Sequence, residues 1–89
     1  LYCVFLLTTN FLFAQNATWE ELNAQGMQAY RENRMADAQK YWQQALPQAE
    51  KEFGKKHLNY ATALNNAGLA HKALGEFTDA EKLYKEALG

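Results

Sequence analysis

Residues 19–47 and 61–89 carry one pattern at an offset of 42, and this repeat restricts the possible folds more than any other feature. Eight positions are identical between the copies: Leu22/Leu64, Asn23/Asn65, Gly26/Gly68, Asp37/Asp79, Ala38/Ala80, Lys40/Lys82, Ala45/Ala87 and Leu46/Leu88. The aromatic pair Trp42/Tyr84 and the turn pair Asn33/Gly75 fall in the same register. A period between about 20 and 50 residues marks a unit that cannot bury its apolar face alone and stacks on copies of itself. Stacked units present long surfaces rather than closed pockets. The repeat therefore points to recognition before it points to chemistry.

Each copy reads as a helical hairpin. Thr18-Trp19-Glu20-Glu21 has the form of a capping box, with Thr18 as N-cap and Glu21 three residues on. Leu22, Gly26, Ala29 and Tyr30 follow at helical spacing. The first helix is expected to stop near Asn33, which tolerates the left-handed closure that Gly75 supplies in the second copy. A second helix is expected from about Ala36 to Phe53, ended by Gly54, with Ala38, Tyr41, Trp42, Ala45 and Leu46 on one face. Pro47 lies inside it and predicts a kink or an early end, because it has no N–H for the carbonyl of Gln43. A third helix is expected over 57–74 and a fourth over 78–88. Gly in a helix interior costs about 1 kcal/mol relative to Ala. The recurrence of Gly26 and Gly68, each followed twelve residues later by Ala38 or Ala80, therefore predicts helices in close approach, with Trp42 and Tyr84 filling the adjacent space.

Charge excludes one class of partner and divides the chain. Nine basic against ten acidic residues leave a net charge of −1, far from the positive field that nucleic-acid binding needs. All of these charges lie in residues 15–89. Residues 1–14 form an apolar run that stops at Gln15 and is too short for a spanning helix, which needs about 20 residues. The run fits the apolar region of a secretory signal peptide cleaved between Ala14 and Gln15, which would make the protein secreted or periplasmic; an uncleaved anchor or an ordinary buried segment are the alternatives. The single cysteine, Cys3, falls within it. No amphipathic helix opposes a basic face to a large apolar one, so no membrane role is expected beyond that segment.

The spacing of the two copies resembles the tetratricopeptide repeat. Gly26 and Gly68 stand at the small position of its first helix, Ala38 and Ala80 at the small position of its second, Trp42 and Tyr84 at the aromatic, and Ala45 and Ala87 at the next small residue. Phe77 matches the aromatic of the turn, and Met35 takes its place in the first copy. The 42-residue period, Ala49 to His57 and Tyr60-Ala61-Thr62-Ala63-Leu64-Asn65-Asn66 are similar to the kinesin-light-chain type, in which the second helix is extended. The chain departs from that type at Leu58, where proline is frequent, and at Ala29, where a bulkier residue is common.

The resemblance covers residues 19–89 and implies an all-α fold, with antiparallel hairpins stacked as a right-handed α-solenoid in two repeats, 19–56 and 57–89. It also implies a concave groove lined by the first helix of each repeat and a protein or peptide in that groove. By position, Glu20, Asn23, Met27, Tyr30 and Arg31 face it from the first copy, and Thr62, Asn65, Leu69, Lys72 and Ala73 from the second. Asn23 and Asn65 attract most interest, because an amide both donates to and accepts from a peptide backbone. The charged clamp that some such repeats use for carboxyl-terminal peptides is not reproduced by Glu20 and Lys72. The implied function is an exported interaction scaffold. The alternative is the N-terminal scaffold of a larger exported enzyme or signalling protein, a CHAT-type peptidase or a sensor kinase. Two copies are fewer than the three or so that such arrays usually need, so loose packing or self-association through the last helix is also expected.

Nothing in the sequence assembles a catalytic group. There is no serine, and His57 and His71 stand 14 residues apart with no acidic residue adjacent to either. Neither histidine has a second His or Cys at a metal-binding spacing, so no metal or cofactor is expected. Asp37 and Asp79 occupy the first turn of a helix, where negative charge is favoured. Asn16-Ala17-Thr18 has the form of a glycosylation sequon, although Thr18 already has its capping role.

Overall fold

A computed structural model describes residues 17–89; the apolar run, the cleavage expected after Ala14 and Asn16 of the sequon lie outside that range. Four helices follow one another: α1 (Trp19–Arg31), α2 (Met35–Phe53), α3 (Leu58–Ala73) and α4 (Phe77–Leu88), with no strand among the described residues. Each helix packs on the next, α1 on α2, α2 on α3 and α3 on α4. The fold is the all-α helical repeat that the 42-residue pattern implies. Among the described residues no helix is long and apolar enough to cross a membrane.

The helix ends form where local chemistry places them. Glu21 N–H donates to Thr18 Oγ1 and Thr18 N–H donates back to Glu21 Oε1, each at 3.2 Å, completing the capping box. The two hairpin turns share one backbone hydrogen-bond pattern. Asn33 and Gly75 both take positive φ, 63° and 81°. Arg34 N–H donates to the Ala29 carbonyl and Glu76 N–H to the His71 carbonyl, both at 2.8 Å, while Asn33 and Gly75 donate one position further on at 3.0 Å. That pair of bonds is the Schellman motif, which satisfies the last carbonyls of a helix. Between the hairpins Gly54 adopts φ 87°, and His57 caps α3 by accepting the Asn59 N–H on Nδ1 at 2.9 Å.

One expectation changes on the structure, and one departure from the family pattern finds its place. Pro47 does not end α2, which continues to Phe53. Pro47 and Gln43 are both exposed, so water can take the carbonyl that the missing N–H would have served. Leu58, the departure from the usual proline, is the first residue of α3 and 76% exposed. The first N–H of a helix has no intrahelical partner in any case, so either residue suits that position.

Small residues dominate the core. Ala29, Ala38, Ala45, Ala49, Ala63, Ala67, Ala70 and Ala80 are all buried, and Trp42 is the one large side chain fully buried among the described residues. Trp42 forms a cluster with Ala29 of α1, Ala38 of α2 and Ala70 of α3, which joins the two hairpins. A Cβ added to Gly26 would overlap the Trp42 indole, and one on Gly68 would stand 2.8 Å from Tyr84 Cε1. The glycines therefore admit aromatic rings directly, and each ring lies on the backbone opposite.

This arrangement separates two substitutions that look equivalent in sequence. Trp42 is enclosed and cannot move away, whereas Tyr84 is only half-buried and can swing outward. Gly26→Ala is expected to cost about 2–3 kcal/mol by overpacking. Gly68→Ala is expected to cost less than about 1 kcal/mol, because the gain in helix propensity offsets part of the clash. Urea melts of the two variants check this; equal stability of Gly26→Ala and the parent would remove the close-approach account.

Candidate functional site

The face shared by α1 and α3 carries the residues expected to meet a partner. Met27, Tyr30 and Leu69 are partly buried and pack on the same Trp42–Ala70 cluster, so α1 and α3 contribute to one continuous apolar strip. Tyr30 lies with its ring centroid 5.7 Å from that of Trp42 at an interplanar angle of 37°. Arg31, Asn65 and Lys72 are exposed, as are Glu20 and Ala73. Thr62 is half-buried, and its Oγ1 donates to the Leu58 carbonyl at 3.1 Å, a local helix bond that leaves the oxygen able to accept.

The two asparagines of the repeat differ in their surroundings. Asn23 is half-buried; its Oδ1 accepts from Asn66 Nδ2 at 2.6 Å, and its carbonyl accepts from Trp42 Nε1 at 3.3 Å. Asn65 stands exposed. The tandem Asn65-Asn66 thus divides two tasks, Asn66 tying α3 to α1 while Asn65 stays on the surface. Sequence reasoning passed over Asn66, because its counterpart in the first copy is Ala24 and the repeat gave it no mark.

A second cluster gathers where α2 meets the turn between α3 and α4. His71 Nδ1 lies 2.6 Å from Glu76 Oε1, and Gln39 Nε2 donates to the same oxygen at 2.9 Å. His71 therefore does have an acidic partner, five residues on and brought back by the Schellman turn, which corrects the expectation drawn from adjacent residues. These bonds, that from His71 foremost and that from Gln39 next, hold the Glu76 carboxyl below its ordinary pKa. A histidine–carboxylate pair needs a nucleophile to do acyl chemistry, and the chain has no serine and places its single cysteine at position 3.

Asp79 completes the one set of potential metal-ligand atoms found among the described residues, His71, Glu76 and Asp79, all within 4.8 Å of one another. Spacing rules missed it because the ligands span a turn. In the first hairpin Arg34 takes the place of Glu76 and pairs with Asp37 at 2.8 Å, so the cluster belongs to the second copy alone. As it stands, His71 Nδ1 is engaged by Glu76, and the group works as a polar tie between hairpins.

Acid should loosen that tie. A carboxyl whose folded pKa is depressed adds stability above its unfolded value of about 4.3, and the contribution is lost as pH falls through the lower folded value. Glu32, hydrogen-bonded by Gln28 and Arg34, and Glu52, by Gln48 and the Trp19 N–H, shift in the same direction. The melting temperature is expected to hold between neutral pH and about pH 4.3 and to fall below it. Glu76→Gln is expected to flatten that fall in a pH series of thermal melts.

The sequence profile of the tetratricopeptide repeat matches residues 17–89, all four helices included. No curated protein and no solved structure matches the chain. With the profile spanning both hairpins, their glycine–aromatic crossings and their paired turns, the chain belongs to the tetratricopeptide repeat family.

Proposed function

We propose that this chain is the interaction module of an exported scaffold protein, and that it holds a peptide or partner domain along the α1–α3 face. The observation that carries the reading is the strip of Met27, Tyr30 and Leu69, half-buried on the core and bordered by the exposed Asn65, Arg31 and Lys72. An apolar floor with polar groups at its edge suits an extended or helical segment: burial supplies affinity, and the amide and cations fix its register. Arg31 and Lys72 lie in the last turns of α1 and α3, which favours an acidic residue at that end of the ligand.

Export is supported by the uncharged apolar run before Gln15. The kinesin-light-chain type is supported by the 42-residue period and by α2, which at 19 residues is longer than the 13 of α1. The array is read as non-catalytic. It would serve equally as the scaffold of a larger exported enzyme or signalling protein, since no serine or cysteine stands among the described residues for the His71–Glu76 pair to activate. Self-association, the other expectation for a partner surface, uses the face of α4 and leaves the α1–α3 face open.

Peptides selected from a random display library against the chain test the reading. The double variant Asn65→Ala/Lys72→Ala is expected to weaken selected peptides about tenfold or more with no change in melting temperature, because both side chains are exposed. Lys51→Ala, on exposed α2 surface, is expected to leave binding intact. Binders insensitive to the double variant would exclude this face as the docking surface.

A further inference from the structure

The second hairpin turn keeps the backbone of the first and changes its charge. In the first turn Arg34 follows the left-handed Asn33 and pairs with Glu32 at 3.0 Å and Asp37 at 2.8 Å, so each carboxylate there has a cation. The 42-residue register puts Glu76 in the place of Arg34 and Asp79 in the place of Asp37. A cation beside a carboxylate has become two carboxylates side by side, and like charges this close repel. Among the described residues no Lys or Arg forms an ion pair with either. His71, in the place of Ala29, brings an imidazole nitrogen to the same point. Turn closure does not require this exchange, since the first turn makes the same backbone hydrogen bonds with Ala29 and Arg34.

We propose that the second turn binds one Zn²⁺ ion through His71 Nδ1 and one carboxylate oxygen each of Glu76 and Asp79. The ion supplies the positive charge that Arg34 supplies in the first turn. The donor set selects the metal: one imidazole nitrogen with two carboxylates suits zinc, whereas Ca²⁺ and Mg²⁺ favour oxygen ligands alone. His71 takes the ion as the neutral imidazole, so zinc replaces the proton that it shares with Glu76.

The geometry is close to what the ion needs. The three donor atoms lie within 4.8 Å of one another. Ligands of a tetrahedral zinc stand roughly 3.3 Å apart, given bonds of about 2.0–2.1 Å. His71 Nδ1 and Glu76 Oε1, now 2.6 Å apart, separate slightly, and Asp79, exposed on the first turn of α4, closes in. Gln39 Nε2 already donates to Glu76 Oε1 at 2.9 Å, so α2 orients one ligand without touching the ion. A cavity of about 310 Å³ opens beside His71 and Asp79 and leaves room for water as the fourth ligand. Lys82 also lines it, but its side chain is exposed and can turn into solvent. The bound ion clamps the end of α3 to the start of α4 and, through Gln39, to α2. The site uses no residue of the α1–α3 face, so either proposal can fail without the other.

Titration calorimetry of ZnCl₂ into the 89-residue chain tests the site, in a Cys3→Ser background that removes the one thiol. One ion per chain is expected, with a micromolar dissociation constant and a melting temperature that rises with zinc. His71→Gln and Asp79→Asn are each expected to weaken binding about tenfold or more. Asp79 is exposed and lies outside the His71–Glu76–Gln39 bonds, so its variant is expected to keep the zinc-free melting temperature. Glu76→Arg, which copies the first turn, is expected to abolish binding with unchanged circular dichroism. His57→Gln and Asp37→Asn are expected to leave binding intact, and Ca²⁺ and Mg²⁺ to bind at least about tenfold more weakly than zinc. Absence of a saturable heat would overturn the site. So would calcium bound as tightly as zinc, or zinc bound by Asp79→Asn and His71→Gln as tightly as by the parent, which would mean adventitious binding to scattered surface groups.

Discussion

Trp42 resting on the backbone of Gly26 is the contact on which the rest of the structure depends. The indole is fully enclosed, and it reaches α1 through Gly26, Tyr30 and the Asn23 carbonyl, and α3 through Ala70. A chain of this size has little interior to spend on large side chains, and most of its buried residues are alanines. Small residues allow the helices to approach, and one large ring then fills the junction of three of them. Tyr84 on Gly68 makes the same crossing in the second hairpin with no third helix over it among the described residues, and it is half-buried. The difference between those two rings is the contribution of stacking, seen in one molecule.

Polar ties fix the stacking that apolar contact leaves adjustable. Alanine surfaces slide easily, since one methyl resembles the next. Asn66 to Asn23 joins α3 to α1, and Gln39 to Glu76, with His71 beside it, joins α2 to the second turn. Each bond spans the boundary between hairpins and has a geometry that only one register satisfies. The apolar strip of the candidate docking face, drawn from both hairpins, is therefore held as a single surface.

Much of the fold was legible because its determinants are local and repeated. The capping box at Thr18, the left-handed positions at Asn33 and Gly75, and the glycine–aromatic pairs each follow from one residue type at one spacing, and each recurs or has a counterpart 42 residues away. The candidate site was legible only as a set of positions. That Met27, Tyr30 and Leu69 share one cluster depends on how α3 rotates against α1. Asn66 and the His71–Glu76 pair left no trace in the repeat, since the first copy has Ala24, Ala29 and Arg34 at those places. Pro47 shows the opposite error: a strong local rule gives way where the affected carbonyl is open to water.

The sequence by itself determined the hairpins, their turns and the family, because backbone capping, left-handed closure and steric fit between Gly and an aromatic ring act within about a dozen residues or across one short turn. Tertiary structure alone decided which side chains meet between hairpins, and which asparagine is tied down and which stands exposed. Those outcomes depend on the relative rotation of helices, a quantity no single repeat encodes. It emerges only when one hairpin has another to press against.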